Sequence, residues 1–122
     1  MDFKLELVPV PVSDVDRAIA FYRDTVGFTL DHDHTVSPTL RFVQLTPPGS
    51  ACSIAMGVGI VDSAPGSLRG LQLVVDDIHA AHAELAGRGV AVSDVTSGPG
   101  GAFVYFADPD GNTWTVQDPR PS

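Results

Sequence analysis

The sequence predicts an α+β fold made of two tandem βαβββ units, and three observations predict it. Short runs alternate apolar and other residues with period two. Two segments instead carry apolar residues at helical spacing behind an acidic start signal. The whole pattern then occurs twice. At 122 residues the chain suits one domain, expected over 1–122 with units at about 4–57 and 69–118.

The first run, Lys4 to Val12, places Val8, Val10 and Val12 on one face and Leu5, Leu7, Pro9 and Pro11 on the other. That is a strand, and its prolines confine it to an edge. Ser13-Asp14-Val15-Asp16 starts a helix, Ala18, Ile19, Phe21 and Tyr22 give its apolar stripe, and Gly27 closes it. Phe28 to His34, Leu40 to Thr46 and Cys52 to Met56 read as strands, with a turn at Pro47-Pro48-Gly49 between the last two. The pattern restarts at Leu71, Leu73 and Val75. Asp76-Asp77 starts the second helix, Ala80 to Leu85 continues it, and Gly87-Arg88-Gly89 ends it. Val90 to Val95, Phe103 to Ala107 and Thr113 to Gln117 are read as the remaining strands.

A shift of 63 superposes LVPVPVSDVDRAIA on GLQLVVDDIHAAHA, and a shift of 62 superposes RFVQLTPPGSACSI on FVYFADPDGNTWTV. The two units are expected to form one strongly curved mixed sheet with a helix on the convex face of each half. Val61 to Arg69 and Ser97 to Gly101 are left as connecting loops.

Composition excludes several classes. Seven Lys+Arg against 15 Asp+Glu give a net charge of −8, with the basic residues scattered, which opposes nucleic acid and anionic membrane as partners. The single cysteine cannot form an internal disulfide and suits a reducing, cytoplasmic setting. The opening MDFKLELVPVPVSD is neither a signal peptide nor a membrane span. Asp108-Pro109-Asp110-Gly111 is a proline-led turn without the later ligands of a calcium loop, and the glycines at 98–101 lack the Gly-Lys-Ser/Thr of a phosphate cradle.

VxVSDVDRAIAFYRDTVGF in the first unit, and LQLVVDDIHAAHAELAGRGV with YFADPDGNTW in the second, resemble the vicinal-oxygen-chelate superfamily. That group includes glyoxalase I, extradiol dioxygenases, fosfomycin-modifying enzymes and bleomycin-resistance proteins. The resemblance covers residues 4 to 118 and implies a fold more than an activity. In metal-dependent members it implies four ligands, one seven residues before the Asp of each helix start and one four residues after the Gly of each turn. Here those places hold Leu7, Ser53, Gly70 and Thr115, so no metal and no other cofactor is expected.

The resemblance instead implies a small-molecule ligand held in the cup of the sheet. The ligand-binding candidates are Leu7, Arg41, Val43, Ser53, Gln72, Phe103, Tyr105, Thr115 and Gln117, a mostly apolar set with a few convergent polar groups. Arg41 and Val43 enter this set because the repeat carries onto them the strand parity of Phe103 and Tyr105. Trp114 is expected in the core beside Val116, and Cys52 as inert packing. His79 and His82 read as a solvated helix face. His32 and His34 alternate on one strand face with Asp31 and Asp33 opposite, which leaves them without a third ligand.

Two function classes follow. The first is a metal-free binder of the bleomycin-resistance type, sequestering a small organic molecule as a homodimer. The alternative is a metal-independent isomerase, lyase or cyclase, with Tyr105 as acid and Arg41 holding a carboxylate or enolate. No catalytic residue is assigned.

Overall fold

Proline content decides how the chain begins to fold. The structure, a computed structural model, describes residues 1–120, and its first strand is β1, Leu7–Pro9. The amide of Val10 donates to the Ala55 carbonyl at 2.8 Å, and the Glu6 carbonyl accepts from Ser53 at 2.9 Å. Even-numbered residues therefore turn their backbone groups toward the neighbouring strand. Pro9 and Pro11 fall on the outward side, where no ladder needs their missing N–H.

Helix α1, Val15–Ile19, starts at Asp14, whose carboxylate accepts from the Arg17 amide at 3.0 Å. The helix then widens into a π-helical stretch, Ala20–Val26, and stops at Gly27 with φ +97°. Strands β2 (Thr29–Ser37), β3 (Leu40–Thr46) and β4 (Ser53–Val58) complete the first unit. The second contains β5 (Leu71–Val74), α2 (Ile78–Gly87), β6 (Thr96–Gly98), β7 (Gly101–Ala107) and β8 (Thr113–Asp118).

Strand order is β1-β4-β3-β2 in one sheet and β5-β8-β7-β6 in the other, so each unit forms its own four-stranded mixed sheet. In both, the first strand runs parallel to the last and the other pairs are antiparallel. The fold is α+β with two repeated units, as the sequence predicts. One expected element differs. Val90 to Val95 forms no regular strand, and the pairing with β7 shifts to Thr96–Gly98, which reaches into the segment expected as a loop from Ser97. Val90 is drawn into the core, and the Val92 amide turns back onto the Val90 carbonyl at 2.9 Å, which bends the backbone away from a ladder.

Both units feed one core. Val15, Ala18 and Ile19 of the first helix and Ile78 of the second join Val43, Leu45, Ile54 and Met56 from one sheet and Val104, Phe106, Trp114 and Val116 from the other. Trp114 is buried beside Val116, as predicted. At the junction, the Tyr22 hydroxyl donates to Asp108 at 2.7 Å and accepts from the Trp114 indole at 3.0 Å. Asp108 also accepts from the Asn112 side chain at 2.7 Å, and Asn112 donates to the Pro11 carbonyl at 2.8 Å. Burial, and next to it the charge of Asp108, pushes the Tyr22 phenol far above its usual range. The Asp108-Pro109-Asp110-Gly111 turn is thus the clasp between the two units.

Three carboxylates predict the acid limit of this fold. The Arg41 guanidinium holds Asp33 below the ordinary value of 3.8, and the Arg120 guanidinium does the same for Asp118. Burial pushes Asp110 up, but hydrogen bonds from Ser13 and the charge of Arg17 outweigh it, and the net direction is down. A carboxyl whose folded-state pKa is depressed contributes stability that is complete above its unfolded value and is lost as pH falls through the folded one. Chemical denaturation is therefore expected to show a plateau above about pH 5 and a steady loss below about pH 4. A stability that stays level down to pH 2 would contradict these pairings.

No helix among the described residues is long and apolar enough to cross a membrane.

Candidate functional site

Each sheet has one face packed against the helices and one open face. In the second unit the open face carries Gln72, Val74, Phe103, Tyr105, Thr115 and Gln117. Tyr105 pairs with Thr115 and Phe103 with Gln117, while Gln72 lies beside Thr115. The alternation on β8 explains the arrangement, since Trp114, Val116 and Asp118 are buried and the residues between them are not. The Phe103 and Tyr105 rings stand parallel, 8° apart with centroids at 6.4 Å, and Tyr105 remains 45 % exposed. The predicted members of this half therefore come together.

In the first unit the prediction needs correction. Arg41 and Val43 share the helix-facing side of β3, not the open face. Val43 is fully buried in the core. Arg41 donates to Asp33 at 3.0 and 2.9 Å and pairs with Asp16 at 3.0 Å, tying α1 to the sheet. The cause is the turn before β4. Strand pairing makes Leu45 the counterpart of Val104, because Leu45 lies opposite Ile54 as Val104 lies opposite Val116. The shift of 62 would match Leu45 with Ala107, three positions away. Three is odd, and an odd slip turns every side chain to the other face.

The residues that occupy the open face are Phe42, Gln44 and Thr46, beside Ser53 and Leu7. A signal for them existed: Val43 and Leu45 alternate with Gln44 and Thr46, an apolar and polar pattern that assigns the faces without the repeat. His32 and His34 face the same side, opposite Gln44 and Phe42. A bulge between Leu30 and His32 swings Asp31 there as well, contrary to simple alternation, and its carboxylate accepts from the Thr46 hydroxyl. The Thr46 and Ser53 hydroxyls lie 2.6 Å apart, and the Gln44 amide donates to Ser53 at 3.4 Å.

A second slip affects the ligand positions that the resemblance implies. Val10 donates to the Ala55 carbonyl as Val75 donates to the Gln117 carbonyl, and Leu7 lies opposite Ser53 as Gln72 lies opposite Thr115. The second-unit counterpart of Leu7 is thus Gln72, not Gly70, because two fewer residues separate β5 from its helix start. The four positions hold Leu7, Ser53, Gln72 and Thr115. Leu7 has no donor atom, two positions are neutral hydroxyls, and the Gln72 amide nitrogen donates to Gln117. This set does not suit a divalent cation. Among the described residues no three His, Cys, Asp or Glu side chains converge on a common point.

The edge strands β1 and β5 border a groove of about 280 Å³ at the seam between the sheets, lined in part by Leu5, Ser53, Leu71 and Gln72. Cys52 also lines it, half-buried, with its thiol toward the Ser53 carbonyl at 3.7 Å. A larger hollow of about 420 Å³ lies at the start of α2 among Ile78, Ala102, Asp118 and Arg120, where the arginine is committed to Asp118. Arranged this way, the open faces combine aromatic and aliphatic surface with amides and hydroxyls, and on the first unit with the Asp31 carboxylate and the His32 and His34 rings.

Comparison with known proteins agrees with this layout. The sequence profile of the Glyoxalase/Bleomycin resistance protein/Dioxygenase superfamily matches residues 4–116. A "Glyoxylase-like domain-containing protein" of Didymella fabae is 33% identical over 114 residues, 89% of this chain and 88% of the relative. The crystal structure of TnmS3, an antibiotic binding protein from Streptomyces sp. CB03234, superposes with a TM-score of 0.87 at 39% identity, over 98% of both chains. A glyoxalase/bleomycin resistance protein from the same Streptomyces strain gives 0.80 at 40% identity, over 93% of this chain and 99% of that one.

Proposed function

The chain belongs to the Glyoxalase/Bleomycin resistance protein/Dioxygenase superfamily, and from that membership we propose that it holds a small, mostly apolar organic molecule on its open face without a metal. The observation that carries this reading is the parallel Phe103–Tyr105 pair on the open face, which also carries exposed Val74 one strand beyond Gln117. Planar aromatic surface left in water costs free energy that a planar ligand recovers. The positions at which metal-dependent relatives place ligands carry an aliphatic side chain, hydroxyls (that of Ser53 buried) and an amide here. Similarity to an antibiotic binding protein supports a natural product as the molecule and sequestration as its fate.

The enzymatic alternative is weaker. It relied on Arg41 to hold an anion, and Arg41 is engaged by Asp33 and Asp16 on the far side of the sheet.

Calorimetric titration with polycyclic aromatic natural products tests the reading. A ligand from that panel is expected to bind, and Phe103→Ala and Tyr105→Ala are each expected to weaken it about tenfold or more. Arg41→Ala should leave affinity within about twofold, although it destabilises the fold. Affinity unchanged in both aromatic variants, or lost with Arg41, overturns the assignment.

We also propose a homodimer in the cytoplasm. Leu5, Val74 and Tyr105 are exposed apolar groups that a second copy would cover in part, and the lone Cys52 suits a reducing compartment. Light scattering should then give twice the 12.8 kDa chain mass.

A further inference from the structure

We propose a second binding site, apart from the open faces: a cleft on the helix side of the fold that takes a slender aliphatic chain ending in a carboxylate. Apolar walls left half-covered, a small volume and an arginine without a hydrogen-bond partner meet there.

The walls come from both units. Helix α2 buries only Ile78 completely. Its Ala81 and Leu85 stay half-buried. With Leu73 and Val75 of the same unit, and Val26 at the end of the π-helical stretch of the other, they line a cleft of about 230 Å³. Apolar side chains still touched by water carry a cost that an apolar ligand removes. Apart from Phe28 the apolar lining is aliphatic, and the space is smaller than the roughly 300 Å³ at which sites for drug-sized molecules begin. A flexible chain suits it better than the polycyclic rings expected on the open face.

Arg88 fixes the polar end. Among the described residues, Glu84 and Arg88 are the only charged groups that line the cleft. The guanidinium groups of Arg17, Arg23, Arg41, Arg69 and Arg120 all donate hydrogen bonds within the protein. Arg88 has only the Glu84 carboxylate, 3.7 Å away. It lies against the first unit at Gly27, where a Cβ would stand 3.1 Å from its guanidinium carbon. The group is thus braced across the two units with its N–H donors unspent.

Glu84 does not satisfy it. Its side chain is 69 % exposed against 43 % for Arg88, and so loose a pair in water contributes little. A carboxylate delivered by an apolar tail offers two oxygens to the planar fork of the guanidinium, the match that arginine makes best. An ammonium ligand meets the charge of Arg88 instead.

Octanoate, octanamide and octylammonium, titrated into isotope-labelled protein at neutral pH and followed by backbone amide shifts, test this. Octanoate is expected to move the amides of Gly27, Ala81 and Leu85 while that of Tyr105 stays in place. It should bind in the cleft about three- to tenfold more tightly than octanamide, the size of one partly exposed charge-assisted hydrogen bond. Arg88→Gln should bring the two to parity by weakening octanoate alone. Glu84→Gln removes the competing carboxylate and should tighten octanoate about two- to fivefold. The proposal is wrong if octanamide or octylammonium binds in the cleft as tightly as octanoate, or if the preference survives Arg88→Gln. Octanoate shifts that fall on the open face instead, or nowhere, refute the cleft as a site.

Discussion

Asp108→Ala is expected to lower stability by about 3–5 kcal/mol, the largest loss from any single polar substitution in the chain. One carboxylate oxygen accepts from the Asp110 and Asn112 amides at 3.0 and 2.9 Å, and the other from the Tyr22 hydroxyl and the Asn112 side chain, both at 2.7 Å. Alanine strands these donors in a site where Asp108, Asn112 and Tyr22 are all buried. A buried donor without a partner loses its hydration and gains nothing in return, which is why the loss exceeds that of an ordinary hydrogen bond. For a chain of this size the melting temperature should fall by roughly 10–20 °C. Tyr22→Phe removes one donor and keeps the ring packed against Trp114 and Phe28, so its loss should be smaller, about 1–2 kcal/mol. A drop no larger for Asp108→Ala than for Tyr22→Phe would show that the turn is held by other means.

Gly66→Ala is expected to lower stability by about 3–4 kcal/mol, against about 1–2 kcal/mol for Gly49→Ala. The two glycines have nearly the same backbone, with φ of +78° and +80°, so both substitutions carry the strain of a side chain in the left-handed region. Their surroundings differ. A Cβ on Gly66 would stand 2.0 Å from the Asp110 carbonyl oxygen, whereas one on Gly49 meets nothing within 4 Å. Gly66 belongs to the connection between the units and donates to the Pro11 carbonyl at 3.1 Å. Moving it pulls on both sides of the clasp at once. Equal losses in urea titrations of the two variants would mean that the connection yields freely.

Much of this architecture could be read from the chain before its structure was known. The internal repeat, the acidic helix starts at Asp14 and Asp77 and the turn glycines encode local geometry, and local geometry survives into the fold. The second-unit half of the site was legible for the same reason, since β8 alternates without interruption from Trp114 to Asp118. The first-unit half was not. Face assignment by repeat needs equal spacing between every pair of matched elements, and the connection through Pro47-Pro48-Gly49-Ser50, shorter by three residues between the matched pairs than its second-unit counterpart, breaks it for β3. Arg41 was misplaced by that slip, and Gln44 and Thr46 were overlooked. Asp31 was hidden by a different effect: a bulge is an extra residue in the ladder, and nothing in the letters TLDHDHT marks where it falls. The move of β6 from Val90–Val95 to Thr96–Gly98 reflects tertiary burial of Val90 prevailing over strand propensity.

Pro9 and Pro11 have a consequence outside the folded monomer. A bare strand border normally invites another polypeptide to dock along it and extend the sheet, which is the first step of fibrous aggregation. Along β1 the outward position at Pro9 offers a carbonyl but no matching amide, and the Pro11 carbonyl that follows is already taken by Asn112 and Gly66, so an incoming strand would find its ladder broken there. Self-association by strand addition is thereby opposed on that border, and a second copy that covers it must do so through side chains.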